Sequence, residues 1–398
     1  MRRSFLLLFA LLLLACAPPE GGQASAGSTR LPSPGDEPSP TVERIAGLDL
    51  HRVSPQRAVD GPMHVERLLQ GATIPGFGPA DIGIVGTDIV AVEPAGVGAW
   101  KADEVHVLTG HWIVPAFIDS HVHLSYLNQP EELASGGVAA VVDHAAPLGF
   151  FDAAFTPLAV RGSGPMVTAV AGYPTQSWGA NGYGLECADA AAAVEAVNEL
   201  ANLGASLIKV PLGHGPTFSL DALKSIVSAA HARSLPVSVH ALSQHEVVLA
   251  AEAGADVLAH APAGPIDAAA AAAWKGRAVI TTFAAFGAGE AATDNVGKLH
   301  AAGATVLYGT DFGNSTWAGV HPIELAGMAQ AGMSPAEILA AGTHVPADFW
   351  GFKRHGRIAP GHAASLLVLD GDPLEDTSLP AAPVAVFNEG ILRSGTLD

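Results

Sequence analysis

Cysteine is nearly absent: Cys16 and Cys187 are the only two in 398 residues. That excludes a disulfide-stapled scaffold and a cysteine-rich zinc module. Basic residues are scarce as well, 19 Lys and Arg against 38 Asp and Glu, and they form no cluster. A formal charge of −19 without a basic patch is no footprint for nucleic acid, so that class of partner is set aside. No apolar run reaches the roughly 20 residues that span a bilayer. What is plentiful is apolar and turn-forming: 49% of residues are hydrophobic, with 45 Gly and 29 Pro. Such a chain buries a core and connects short elements tightly. Its length suits two domains or one large barrel.

The first residues form a separate object. Arg2 and Arg3 precede an apolar run from Phe5 to Ala17, too short to span a membrane but suited to a signal-peptide core. Leu13-Leu14-Ala15-Cys16 resembles the lipobox of bacterial lipoproteins, which implies cleavage after residue 15 and lipidation of Cys16. Arg2-Arg3-Ser4-Phe5-Leu6 also resembles a twin-arginine export signal, so the export route stays open. Residues 16–41, rich in Pro, Gly and Ser, read as a tether. The expected product is an exported protein held at a membrane by its lipid. With Cys16 so used, Cys187 has no partner and reads as a buried or helix-start thiol.

Two β-rich flanks, residues 42–114 and 351–398, surround a different centre. Short runs such as Ile82-Gly-Ile-Val and Ser365-Leu-Leu-Val-Leu predict strands from both chain ends that build one small β-sandwich. Between them, residues 115–350 alternate apolar runs with Ala-rich helical segments. The runs are Ile113–Ile118, Val138–Val142, Met166–Val170, Leu207–Val210, Pro236–Val239, Val257–Ala259, Ala278–Thr282 and Thr305–Tyr308. Continuous apolar runs suit a parallel sheet covered on both faces. A weak repeat, Leu203-Gly-Ala-Ser, Ala253-Gly-Ala-Asp and Ala302-Gly-Ala-Thr, puts a glycine where each helix ends. The expected fold is α/β, a (β/α)8 TIM-like barrel. An open doubly wound sheet is the alternative, without a Gly-rich phosphate loop to recommend it.

Ionisable residues fall at the C-terminal ends of those runs. His121 and His123 are two apart, a spacing that points both imidazoles to one face and one ion. Lys209 lies within a later run, and His240, His260 and Asp311 close three others. Lys209, flanked by Leu207, Ile208 and Val210, faces a desolvation penalty that lowers its pKa, and a neutral amine adds CO2 to become a carbamate. His144, Tyr173 and His214 follow other runs and are candidates to line the mouth, with Tyr173 or His144 donating to a developing oxyanion. Trp317, in the loop after Asp311, is expected to be an apolar wall.

These residues resemble the metal-dependent amidohydrolase superfamily, in its imidazolonepropionase-like and prolidase-like branch. The resemblance runs over about residues 62–398. It is carried by Ile113-Val-Pro-Ala-Phe-Ile-Asp-Ser-His-Val-His-Leu, Ser206-Leu-Ile-Lys, Val239-His-Ala, Ala253-Gly-Ala-Asp-Val-Leu-Ala-His, Gly309-Thr-Asp and Gly356-Arg-Ile-Ala-Pro-Gly-His. Met333-Ser-Pro-Ala-Glu is also family-like, with Ser334, Pro335 and Glu337 forming a capping box. The resemblance implies that His121, His123 and Asp311 hold one divalent ion and His240 and His260 a second. A carboxylated Lys209 bridges the two, and zinc is the expected metal. It further implies a metal-activated hydroxide attacking a small amide, dipeptide or cyclic amide, with Asp311 moving the proton. One ion with Lys209 unmodified stays open as a variant.

The chain departs from that pattern in places. Ala171-Gly-Tyr-Pro-Thr-Gln stands where prolidase-like members tend to have Gly-Gly-His, and Ser243 stands where deaminase-type relatives have glutamate. The second change disfavours a mononuclear deaminase. A non-catalytic, lipid-anchored binding protein on the same barrel is the alternative from another class. No oligomeric state is specified.

Overall fold

The computed structural model describes residues 61–397. The signal segment, Cys16, the tether and the start of the first flank lie outside the described residues. Among the described residues, no helix is long and apolar enough to cross a membrane.

Strands from both chain ends share one mixed eight-stranded sheet. The N-terminal side supplies Met63–Ile74, Gly78–Val85, Asp88–Pro94, Trp100–Val107 and Trp112–Pro115; the C-terminal side supplies Leu366–Leu369, Ala385–Asn388 and Ile391–Gly395. Antiparallel pairing of Trp112–Pro115 with Leu366–Leu369 joins the two sets. Leu69, Ile82 and Ile84 pack with Leu366, Val368 and Phe387 in one buried cluster. The hairpin between Gly78–Val85 and Asp88–Pro94 turns on Gly86-Thr87, and Gly86 takes the positive φ of +58° that such a tight loop needs. Asp81 is buried yet satisfied, because its two oxygens each accept a backbone N–H, from Gly71 and Gly96, at 3.0 Å.

The expected strand Ile113–Ile118 is divided between two sheets. Trp112–Pro115 belongs to the eight-stranded sheet, and Phe117–Val122 begins a parallel one. The backbone changes partners at Ala116, whose N–H donates to Ser365 O while that of Phe117 donates to Gly137 O. Apolar residues throughout concealed the break, since both sheets bury them.

The centre is α/β. Phe117–Val122, Val138–Asp143 and Ala159–Gly162 form a three-stranded parallel sheet. Ile208–Pro211, Val237–His240, Val257–Leu258, Ala278–Ile280 and Thr305–Leu307 form a five-stranded parallel sheet in chain order. Met166–Ala169 pairs in parallel with Gly184–Cys187, a strand that holds buried Cys187. Further hydrogen bonds tie the pieces together: Ser206 N to Gly162 O and Ser120 N to Tyr308 O, both 2.9 Å.

The strands are buried on both faces. Val210, Val239, Leu258 and Val279 meet helix residues Val197, Leu200, Ile226 and Val247. The alternate residues Leu207, Val257, Ile280 and Leu307 pack with Ile118, Val142 and Trp350. Helix Ala190–Leu203 buries Ala193, Ala196, Val197 and Leu200, a spacing of three and four that lays one stripe on the sheet. Helices Ala190–Leu203 and Gln244–Ala253 end on Gly204 and Gly254, and Gly303 follows the end of Glu290–Ala301. All three glycines have φ between +90° and +98°, where a Cβ would strain the backbone. Each such stop turns the chain into the next strand, and so sets where that strand's far end emerges.

Candidate metal centre

His121 lies in Phe117–Val122 and His123 just beyond it; Lys209 lies in Ile208–Pro211; His240 ends Val237–His240; His260 follows Val257–Leu258; Asp311 follows Thr305–Leu307. All six side chains are buried and they lie together. Ring centroids of His121 stand 5.1 Å from His123 and 4.6 Å from His260, and His240 stands 4.8 Å from His260. One ligand atom from each of His121, His260 and Asp311 falls within 4.8 Å of the others. Asp311 Oδ1 lies 3.0 Å from His123 Nε2 and 3.6 Å from His121 Nε2.

The hydrogen bonds decide which nitrogens carry protons. His121 Nδ1–H donates to the carbonyl oxygen of Ala259 at 2.8 Å. Burial, with the neighbouring His144 and Lys209 charges, holds His121 well below the usual histidine range, so the ring is neutral. Its Nε2 therefore presents a lone pair, and that lone pair faces the Asp311 carboxylate. Two acceptors turned toward each other repel unless a cation stands between them. His123 differs: its Nδ1 lies 3.3 Å from Ala145 O, and its Nε2–H donates to Asp311 Oδ1 at 3.0 Å. Burial pulls His123 down, but its hydrogen bond to Asp311 and that charge outweigh burial and raise it.

Burial likewise depresses His240 and His260, with Lys209 adding to the effect. Lys209 itself is fully buried, and burial lowers its amine to about 7 against the pull of Asp311. Among the described residues, Lys209 Nζ, His121 Nε2, His240 Nε2 and Asp311 Oδ2 have no hydrogen-bond partner. With His144 Nε2, which is also without a partner, five buried polar atoms gather at this one place, and leaving them unpaired is costly. A donor set of imidazoles, a carboxylate and an uncharged amine fits divalent ions of the zinc type.

Asp311 is held in a strained conformation, with φ at +53°. Its N–H donates to His121 O at 2.8 Å, and Asn314 Nδ2 donates to its Oδ1 at 3.1 Å. Gly309 makes the approach possible, since a Cβ there would collide with the Ile280 side chain and stand 3.0 Å from His121 N. Asp119 ties the two segments: it accepts from His121 N and Thr310 N at 3.0 Å and from Thr310 Oγ1 at 2.6 Å. Burial raises that carboxyl to about 7. Asp119 lies inside the quoted His121 motif, but its role needs the distant Thr310 and is not readable from spacing.

The remaining candidates separate. His144 is fully buried, stacked on His121, with Nδ1 3.2 Å from Ser238 Oγ. Tyr173 is half-buried and stacks on His240 at 5.1 Å; burial raises its hydroxyl well above the tyrosine range. His214 is exposed, 5.6 Å from His240. Trp317 is 50% exposed, bonded to Val320 O and near His321, and is not among the rings that touch the cluster. The tryptophan that does so is Trp178, 5.2 Å from His123, and Phe286 stands 4.6 Å from His260. Neither ends a strand, so strand-end reasoning passes over both.

Among solved structures, a Xaa-Pro dipeptidase crystallised with methionine in its active site matches at 19% identity and a TM-score of 0.71. The match covers 83% of this chain and 100% of that one. Ochratoxinase of A. niger matches at 19% identity and 0.65, over 83% and 95% of the two chains. Phenylurea hydrolase B matches at 18% and 0.63, over 82% and 96%. At these identities the likeness is one of fold. No curated protein matches the chain in sequence. The amidohydrolase family model matches residues 112–392, a span that contains every residue of the cluster. The chain belongs to the amidohydrolase family.

Proposed function

We propose that this amidohydrolase cleaves carbon–nitrogen bonds in small amides, dipeptides or cyclic amides with the help of two divalent ions, zinc being the expected pair. The carrying observation is the geometry at His121: its Nδ1–H is bonded to the Ala259 carbonyl, and its Nε2 faces the Asp311 carboxylate at 3.6 Å. His121, His123 and Asp311 would hold one ion, and His240 and His260 the other. Bound ions would polarise the substrate carbonyl and make water more acidic.

The protein's own groups do the rest. The Lys209 amine, brought to about 7 by burial, is uncharged in a substantial fraction of molecules near neutral pH, where an ordinary lysine is almost wholly charged. Its nitrogen lone pair attacks the CO2 carbon, an N–C bond forms as one C=O π pair moves onto oxygen, the nitrogen releases a proton to solvent, and a carbamate results whose oxygens would be available as ligands. Asp311 Oδ2, buried and without a partner, accepts the proton released by attacking water and returns it to the leaving nitrogen. Tyr173, stacked on His240, borders the place where the carbonyl oxygen acquires charge.

The structural neighbours named as a dipeptidase, an ochratoxinase and a phenylurea hydrolase support a small-molecule substrate. Within this reading the parallel strands of residues 115–350 close into a (β/α)8 barrel, the strands of both flanks build one small β unit on their shared eight-stranded sheet, and Cys16 anchors an exported chain. A purely binding role would have no use for a proton-accepting carboxylate beside an amine whose proton is so weakly held.

Metal analysis of the purified chain tests the proposal. About two equivalents of Zn2+ are expected, with zinc-dependent hydrolysis of an amide and loss of both on Lys209→Ala. A fully loaded protein that turns over no amide, dipeptide or lactam overturns it.

A further inference from the structure

The rings beside the buried cluster bear on which amides enter, given the hydrolase reading above. Trp178, Tyr173 and Phe286 stand 5.2, 5.1 and 4.6 Å from His123, His240 and His260, each by ring centroids. Tyr126 and Tyr183 extend the Trp178 side at 5.6 and 5.3 Å. Tyr126 is 46% and Phe286 37% exposed, so the aromatic surface reaches from the cluster to solvent. Its polar atoms are partly used up internally, since Trp178 Nε1 donates to Tyr173 Oη at 2.7 Å. Such a surface binds a flat or bulky apolar group through area and ring stacking.

A free carboxylate on the substrate asks for something different, a guanidinium fork or an ammonium. Among the described residues, Lys209 is the only lysine or arginine in the cluster, and it lies fully buried among the histidines. Arg161, Arg277 and Lys298 are committed elsewhere. Arg161 donates to Gly351 O and covers the Phe352 ring, Arg277 donates to Ala251 O and Ala255 O, and Lys298 pairs with Asp294. His214 adds an imidazole at the rim but no bidentate fork. The formal charge of −19 also works against anionic substrates at a distance.

From this we infer that the site takes neutral amides with an aromatic or bulky apolar group next to the scissile bond, and that Trp178 selects them over carboxylate-bearing dipeptides. The test uses the full chain loaded with Zn2+ and two probes that differ only at one end: N-acetyl-alanyl-phenylalanine and its C-terminal amide. The expected kcat/KM is at least tenfold higher for the amide. Trp178→Ala should lower that value at least tenfold, chiefly through KM, while Trp178→Phe keeps most of it. Equal or faster turnover of the free acid overturns the inference and leaves the hydrolase reading standing, as does a Trp178→Ala variant with unchanged KM. Turnover of neither probe counts against the hydrolase reading, and calorimetric binding of the same pair then decides selectivity alone. Preference for the amide there supports the inference; preference for the acid, or no binding, overturns it.

Discussion

The His144 imidazole lies flat on that of His121, with ring centroids 4.1 Å apart and planes inclined by 16°. Ser238 Oγ fixes the His144 ring from its Nδ1 side at 3.2 Å, and the edge of Trp350 meets it at 5.9 Å. The stack therefore helps set the plane of His121, whose Nδ1 edge is held by the Ala259 carbonyl. His144→Ala is expected to weaken zinc binding by about 10–100-fold, the usual cost of losing an orienting partner. His144→Phe preserves the stack and should retain most of the affinity. Competition with a chelator measures both.

Asp311 takes a left-handed backbone conformation, which asparagine adopts far more readily than alanine. Asp311→Asn should thus melt within a few degrees of the wild type while losing about 10²–10⁴-fold in kcat, the range for removing a proton-transfer group. Asp311→Ala should lose the same activity and melt lower. Calorimetric melting beside steady-state kinetics separates conformation from chemistry.

Glu324 offers a pH prediction away from the cluster. It is fully buried, its Oε1 accepts from Ala284 N at 2.7 Å, and burial raises its carboxyl from 4.5 to about 8. Between those two values the folded chain holds a proton that the unfolded chain has released. Stability from this group therefore falls as pH rises from about 4.5 to about 8. Glu324→Gln, which keeps the acceptor without the charge, should unfold at higher urea than wild type at pH 8 and match it near pH 4.5. Urea midpoints at the two pH values give the answer.

Ser334 and Glu337 cap helix Pro335–Gly342 reciprocally, with Ser334 N donating to Glu337 Oε2 at 2.8 Å. Ser334→Ala should cost about 1 kcal/mol. For a chain of this size, with an unfolding entropy of about 2.1 cal/mol/K per residue, that is a fall of only about 1 °C in Tm, read by differential scanning calorimetry. Activity at 25 °C should not change.

Much of the local structure is legible in the chain. Apolar runs without alternation announce strands covered on both sides, and the Gly-Ala repeats mark the helix ends at Gly204, Gly254 and Gly303. The serine, proline and glutamate at 334, 335 and 337 announce a helix start. The strand-end positions of His121, His240 and Asp311 follow from the same reading, because a parallel strand that leaves a helix stop must finish at the opposite edge of the sheet. The division at Ala116 is not legible, since both sheets bury the same kind of residue.

What the amino-acid order determined alone is therefore what neighbours a few positions apart can enforce: periodicity, caps, stops and the polarity of each strand end. Only the tertiary structure decided which rings meet. Trp178 reaches His123 through a loop whose path no local pattern sets, and Phe286 reaches His260 from a single short helical turn. His144 stacks on His121 because two strands lie side by side, and Asp119 binds Thr310 across 191 residues. Such contacts depend on packing between segments distant in the chain, and spacing along a sequence carries no record of that distance in space.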